Sequence, residues 1–146
     1  MANPSFETWN QGGPTGWEAR HATPEPVKAA PGKLCARLDC TGTSAKTASL
    51  AQQIRVSESG LYKLSFVARQ DGDAPATAQI VWLDEHANPV QSDACVLEIP
   101  AVLPDRFTEF STIAGPAPCG AQAARLTFTK HGAGFLAIDD VSISKL

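Results

Sequence analysis

Much is missing from this sequence, and each gap excludes something. No apolar run in the 146 residues approaches the roughly 18 needed for a membrane-spanning helix, so insertion by a helix is excluded. No excess of basic residues exists: 12 Lys and Arg face 15 Asp and Glu, for a net charge of −3. That balance argues against a nucleic-acid partner, which would call for a basic stripe. Cys35, Cys40, Cys95 and Cys119 form no C-x-x-C pair, and no histidine stands at metal-finger spacing, which argues against zinc. The four thiols are either buried and free or, in an oxidising compartment, paired as disulfides. Met1-Ala2-Asn3-Pro4 has neither a basic stretch nor an apolar one, so no secretory signal is expected.

Catalytic signatures are absent too. The sequence contains no G-x-S-x-G, H-E-x-x-H or phosphate-binding loop. His21, His86 and His131 stand in or beside expected loops, with no nucleophile at recognisable spacing. The expectation is that the protein is not an enzyme. No window of eleven or more residues carries a helical period.

What is present is a succession of short strands. Apolar residues make up 43% and charged ones 18%, which is the balance of a globular chain rather than a disordered one. The length predicts one domain over residues 1–146. Strands are expected at residues 17–23, 34–39, 48–56, 61–69, 76–84, 90–99, 106–114, 123–129 and 134–144. Residues 24–32, with three prolines, read as a loop. The clearest strand alternates Tyr62, Leu64, Phe66 and Ala68 with Lys63, Ser65, Val67 and Arg69. Strands spaced about 8–14 residues apart indicate a β-sandwich or barrel.

The closing strand poses the sharpest question. Asp139 and Asp140 interrupt an otherwise apolar run from Gly134 to Ser144. Adjacent strand residues point to opposite faces, so one carboxylate should turn inward unless a bulge intervenes. A buried carboxylate needs a partner. That partner is a cation, an Arg or Lys, or backbone N–H groups. A glycosidase pair is ruled out, because its two carboxylates must converge on one bond.

Taken as a spaced set, several motifs resemble the carbohydrate-binding modules with a galactose-binding-like jelly roll. They are Asn3-Pro4-Ser5-Phe6-Glu7, Pro14-Thr15-Gly16-Trp17, the run Gly60 to Arg69, Phe107-Thr108-Glu109-Phe110-Ser111, Ala124-Arg125-Leu126 and Ile138-Asp139-Asp140-Val141. The resemblance spans nearly the whole chain and identifies fold better than ligand. It implies an all-β fold: a jelly-roll β-sandwich of two antiparallel sheets. It also implies a structural calcium ion held by Glu7, main-chain carbonyls near Gly32 or Lys33, and Asp139 or Asp140. Calcium takes about 6–8 oxygen ligands of this kind. The implied function is that of a non-catalytic carbohydrate-binding module, an accessory domain of a larger enzyme or of a phage or cell-surface protein. Its location would be extracellular or on a virion or cell surface. The alternative is a structural or protein-interaction sandwich with no sugar site, packing on other domains of a parent protein or on copies of itself.

A sugar site needs an aromatic platform and polar side chains for the hydroxyls. Trp82 is the aromatic candidate for a glycan or small sugar, its other role being core packing. Arg37, Arg69, Glu109 and Arg125 project away from the core by strand parity. They form one polar groove if their strands share a sheet, and ordinary solvated surface otherwise. In the resembling family a Trp often stands at the place of Phe107. With one Tyr and three Trp in the chain, stacking platforms are scarce.

Overall fold

The computed structural model describes residues 1–28, 30, 32–91 and 95–146, with backbone alone for residues 102–105. The described residues form strands and no helix. A small hairpin of β1 (Trp9–Asn10) and β2 (Gly13–Pro14) opens the chain. Then follow β3 (Glu18–Arg20), β4 (Ala22–Pro26), β5 (Leu34–Leu38), β6 (Thr47–Arg55), β7 (Tyr62–Gly72) and β8 (Ala76–Leu83). The chain ends with β9 (Cys95–Ile99), β10 (Val102–Ala114), β11 (Ala123–His131) and β12 (Gly134–Lys145). Sheet I has the order β10-β7-β12-β5-β4, and sheet II the order β3-β6-β11-β8-β9. All neighbours are antiparallel. Sequence neighbours are seldom sheet neighbours, and the two sheets pack as a jelly-roll β-sandwich.

Strict alternation builds the core. Leu64, Phe66 and Ala68 of β7, Ala36 and Leu38 of β5, and Leu136 and Ile138 of β12 point inward from sheet I. Leu50 of β6, Leu126 and Phe128 of β11, and Ile80 and Trp82 of β8 answer from sheet II. Phe66 and Phe128 meet edge to face across the sheets, with centroids 5.0 Å apart. Such pairs add directional attraction to their burial. Trp17 packs on Phe6 and Phe128, at 5.2 and 6.3 Å.

Polar anchors hold the chain start on this core. Gln52, facing inward at the end of β6, accepts from the Ala2 amide and donates to the Ala2 and Gly16 carbonyls. The Val141 amide donates to the Pro4 carbonyl at 3.0 Å, fastening the first residues to β12. At the other end Lys130 is fully buried and donates to the His131 and Ala74 carbonyls. Burial pushes its ammonium below the ordinary lysine range. All four cysteines are free, with Cys35 and Cys40 buried, Cys95 half-buried and Cys119 exposed.

Several boundaries depart from the sequence reading. Residues 17–23 are two strands, because His21 takes a φ of 55° and turns the chain from sheet II to sheet I. β4 continues through Pro24 and Pro26, where a loop is expected. It is the edge of sheet I, and an edge tolerates missing N–H donors. β10, the opposite edge, likewise carries Pro104, with a register shift between Leu103 and Thr108. β7 runs on to Gly72, beyond the expected break at Asp71. Of the strand expected over residues 90–99, β9 accounts for Cys95–Ile99, and residues 92–94 lie outside the described residues.

Candidate functional site

The paired aspartates are resolved by a bulge. In β12, Asp139 sits opposite Val67 and Ser142 opposite Ser65, so Asp140 and Val141 together face Phe66 alone. Asp140 takes a φ of 49°. The extra residue lets Ile138 and Val141 both point inward, while Asp139 joins Ala137 and Phe135 on the outer face of sheet I. Neither carboxylate enters the core. Asp139 Oδ1 accepts from the Asp140 amide at 2.8 Å.

Asp139 and Asp140 line a hollow of about 600 Å³ together with Ser5, Glu7, Val27, Lys33, Val67 and Phe107. So the structure gathers Glu7, Lys33, Asp139 and Asp140, four residues from three distant parts of the sequence. Burial pushes the Asp139 carboxyl up to about 6, and the Asp140 and Glu7 charges add to that, against the Asp140 amide and Lys33. Two acids that repel across a hollow fit a cation between them. Glu7 is positioned by the Leu34 amide, which donates to both its oxygens at 3.2 Å. The Lys33 carbonyl already accepts from the Val27 amide at 2.9 Å, leaving one lone pair for anything else. Among the described residues no three His, Cys, Asp or Glu side chains cluster as a metal site. A calcium shell here would therefore combine the Glu7 and Asp139 carboxylates with main-chain oxygens, a mixture this ion accepts.

Next to the hollow, the outer face of sheet I carries a compact charged cluster. Glu25 Oε1 accepts from Arg37 at 3.3 Å and from Arg69 at 3.0 Å. Arg37 also pairs with Asp39 at 3.1 Å. Both guanidinium groups lie over the Phe135 ring, at 4.2 and 5.0 Å from its centroid, and Arg69 reaches Phe107 at 5.8 Å. Beneath them Cys35 and Ala137 belong to the outer face yet are almost fully buried. Burial, with the Glu25 charge beside it, pushes the Cys35 thiol up to about 12, so it is no nucleophile. The cluster covers this face and satisfies itself.

The outer face of sheet II differs. Register places Arg20, Ser49, Thr129, Thr77 and Glu98 in one row across the sheet. Glu18, Ala51, Thr127, Gln79 and Val96 form the second row, and Gln53, Arg125 and Val81 the third. Among the described residues, Glu18 and Arg125 are the pair engaged on this face. Arg125 donates through both terminal nitrogens to both Glu18 oxygens, at 2.8 and 3.2 Å. Hydrogen bonding to Arg125 holds the Glu18 carboxyl below its ordinary value. The hydroxyls and amides of Ser49, Thr77, Thr127, Thr129, Gln53 and Gln79 have no partner among the described residues. Ala51, small and 4% exposed, makes a floor between Glu18 and Thr127.

The expected ligand residues are thus divided. Arg37, Arg69 and Glu109 do share the outer face of sheet I. Arg125 does not join them, because β11 lies in sheet II. Trp82 is a core residue, 4% exposed and packed on Tyr62 at 6.0 Å, so it offers no ring face to a sugar. Glu18, Gln53, Gln79 and Thr127 went unremarked in the sequence. Their outward parity matched that of Arg125, but nothing in the periodicity says which strands are adjacent.

Known proteins can now be compared with this geometry. No protein-family model matches the sequence, and no curated protein does. Solved structures match over the whole chain. The crystal structure of the enzymatically active domain of bacteriophage CBA120 tailspike protein 4 superposes with a TM-score of 0.78 at 21% identity. It covers 100% of this chain and 21% of that one, so this chain spans about a fifth of the tailspike domain. A CBM4 module superposes with a TM-score of 0.64 at 17% identity, over 100% of this chain and 99% of the other. The carbohydrate-binding module TmCBM61, in complex with β-1,4-galactotriose, gives 0.60 at 15%, over 100% and 97%. The fold is that of a jelly-roll carbohydrate-binding module. At these identities the likeness establishes architecture and leaves the ligand to be argued from residues.

Proposed function

We propose that this chain is a non-catalytic carbohydrate-binding module whose sugar site is the outer face of sheet II. The observation that carries the reading is the set of unpartnered hydroxyls and amides on β6, β11 and β8, three adjacent strands. Each amide offers donors and an acceptor, and each hydroxyl offers both. Sugar hydroxyls need that mixture in a regular array. The face holds no aromatic residue in its three rows, so recognition rests on hydrogen bonds rather than ring stacking. That favours short sugars or chain ends over long stacked glycans.

The carboxylates on this face support a non-catalytic role. Glu18 and Glu98 stand on the two edge strands, four strand spacings or about 19 Å apart. Glycosidase pairs need about 5–9.5 Å. We also propose that the Glu7–Asp139 hollow takes a structural calcium ion, and that the module works within a larger secreted, virion or surface protein. The tailspike match, in which the equivalent fold is one part of a longer chain, supports that context.

Screening the protein against an array of neutral and acidic oligosaccharides tests the site. Binding is expected, with a drop of about tenfold in Gln79→Ala, the scale of losing one or two hydrogen bonds to the ligand. A blank array would overturn the reading. A second reading has its own observation: Val96 and Ile113, on edge strands β9 and β10, are 56% and 59% exposed. A structural or interaction module would use them. Concentration-dependent mass in light scattering, lost in Ile113→Ser, would favour it.

A further inference from the structure

We infer that the sheet II face takes an acidic glycan, with Arg125 as its carboxylate-binding residue and Glu18 as a built-in stand-in for the ligand's acid group. The inference rests on the sugar site proposed above and narrows it to sugars that carry a carboxylate.

Arg125 belongs to β11, the middle strand of sheet II, and its side chain is 33% exposed. Its two terminal nitrogens form the planar fork that matches a carboxylate. The acid now in that fork comes from β3, a three-residue edge strand, on a side chain 73% exposed. An exposed pair of this kind contributes little to stability. A ligand acid can therefore replace Glu18 on Arg125 at small cost, while Glu18 swings into water.

The surrounding charge agrees. The chain as a whole is net −3. Within the three rows Arg20 and Arg125 balance Glu18 and Glu98, and Arg20 has no ion pair among the described residues. Asp84 and Glu85 share a shallow hollow with Arg55 and bound the face with negative charge at that end. The stretch suited to an acid thus runs from Arg125 toward Arg20, about 13 Å along the strands. It passes the side chains of Thr127, Thr129 and Ser49, with Gln79 flanking on β8, none of them with a partner among the described residues. These supply hydroxyl recognition next to the acid clamp. The self-paired arginines of sheet I offer no comparable vacancy, because Glu25 and Asp39 hold them with side chains only 22% and 26% exposed.

Isothermal titration with oligogalacturonate and with its carboxyl-reduced, neutral counterpart tests this. Wild type is expected to prefer the acidic oligosaccharide, and added salt should erode the preference. Arg125→Gln should cut acidic binding by about tenfold, and Arg125→Lys should recover only part of it, because the ammonium lacks the fork. Glu18→Gln should raise the acidic-to-neutral affinity ratio severalfold. A thermal melt within a few degrees of wild type would show that each variant folds. Equal affinity for the two oligosaccharides, unmoved by Glu18→Gln, would overturn the acidic assignment and leave the sugar site standing. Binding to neither, nor to any glycan on the array, would overturn both.

Discussion

The two outer faces of this sandwich are made alike and end up with opposite character. Each has arginine and glutamate on alternating strand positions, pointing away from the core. On sheet I the side chains close on one another: one carboxylate holds two guanidinium groups, both lie over Phe135, and Cys35 and Ala137 are sealed beneath. On sheet II, among the described residues, one exposed pair borders a field of amides and hydroxyls without partners. The first arrangement spends its polar groups on the fold, and the second leaves them for something else. A polar outward face is thus not evidence of a binding site until its hydrogen bonds have been traced. The comparison separates stability, which should depend on sheet I, from binding, which should depend on sheet II.

The largest effect should come from the hollow on sheet I. Calcium at a hundredfold excess over its Kd should stabilise the protein by about 2.7 kcal/mol, or roughly 5–10 °C in Tm. Chelator should reverse this, and Asp139→Asn should remove it. pH adds a sharper arm. Without the ion Asp139 titrates near 6 in the folded protein, against an ordinary value of 3.8. The folded chain then binds the extra proton. Its contribution to stability is present in full below about 3.8 and is lost as pH rises through about 6. An ion favours the charged form, so calcium should raise Tm more at pH 7 than at pH 5. A melt indifferent to both calcium and chelator at pH 7 would sink the site.

Next in size is the charged cluster. Glu25→Gln removes the shared negative charge and leaves Arg37, still paired with Asp39, and Arg69 over Phe135 without it. Unfolding in urea should show a loss of about 2 kcal/mol, the scale of charged hydrogen bonds partly shielded from water. Glycan affinity should stay as in wild type. A variant that keeps its stability but loses glycan would place the sugar on sheet I and invert the comparison.

Strand positions and inward faces were largely legible, because period-two alternation is local and β7 and β11 carry it cleanly. The bulge at Asp139-Asp140 was legible as one of two outcomes, since two adjacent acids cannot both avoid the core on a regular strand. Pairing was not legible. Arg37, Arg69 and Arg125 all point outward by parity, yet whether they meet depends on strand order, and in a jelly roll that order is set by long-range packing. The same limit hid Glu18, whose β3 ends where His21 adopts a left-handed backbone. Trp82 misled for a different reason. β8 is apolar on both parities, so its pattern does not say which face is inside. Only the pairing with β11, through Trp82 and Ala124, places Trp82 in the core.

The smallest stability effect is the most telling for sheet II. Thr127 and Gln79 face each other across β11 and β8, half-buried, with no hydrogen bond among the described residues to lose. Thr127→Ala and Gln79→Ala should each change unfolding free energy by less than about 0.5 kcal/mol, as at surface sites away from caps and buried networks. Because the two side chains are neighbours, a double variant tests whether they act on one ligand. If one sugar hydroxyl bridges them, the two losses in affinity should overlap, and the double variant should bind only slightly worse than either single one. Fully additive losses would mean that they touch separate groups. No loss in any of the three variants, on a protein that still binds glycan, would mean that the free amides and hydroxyls of sheet II are ordinary solvated surface.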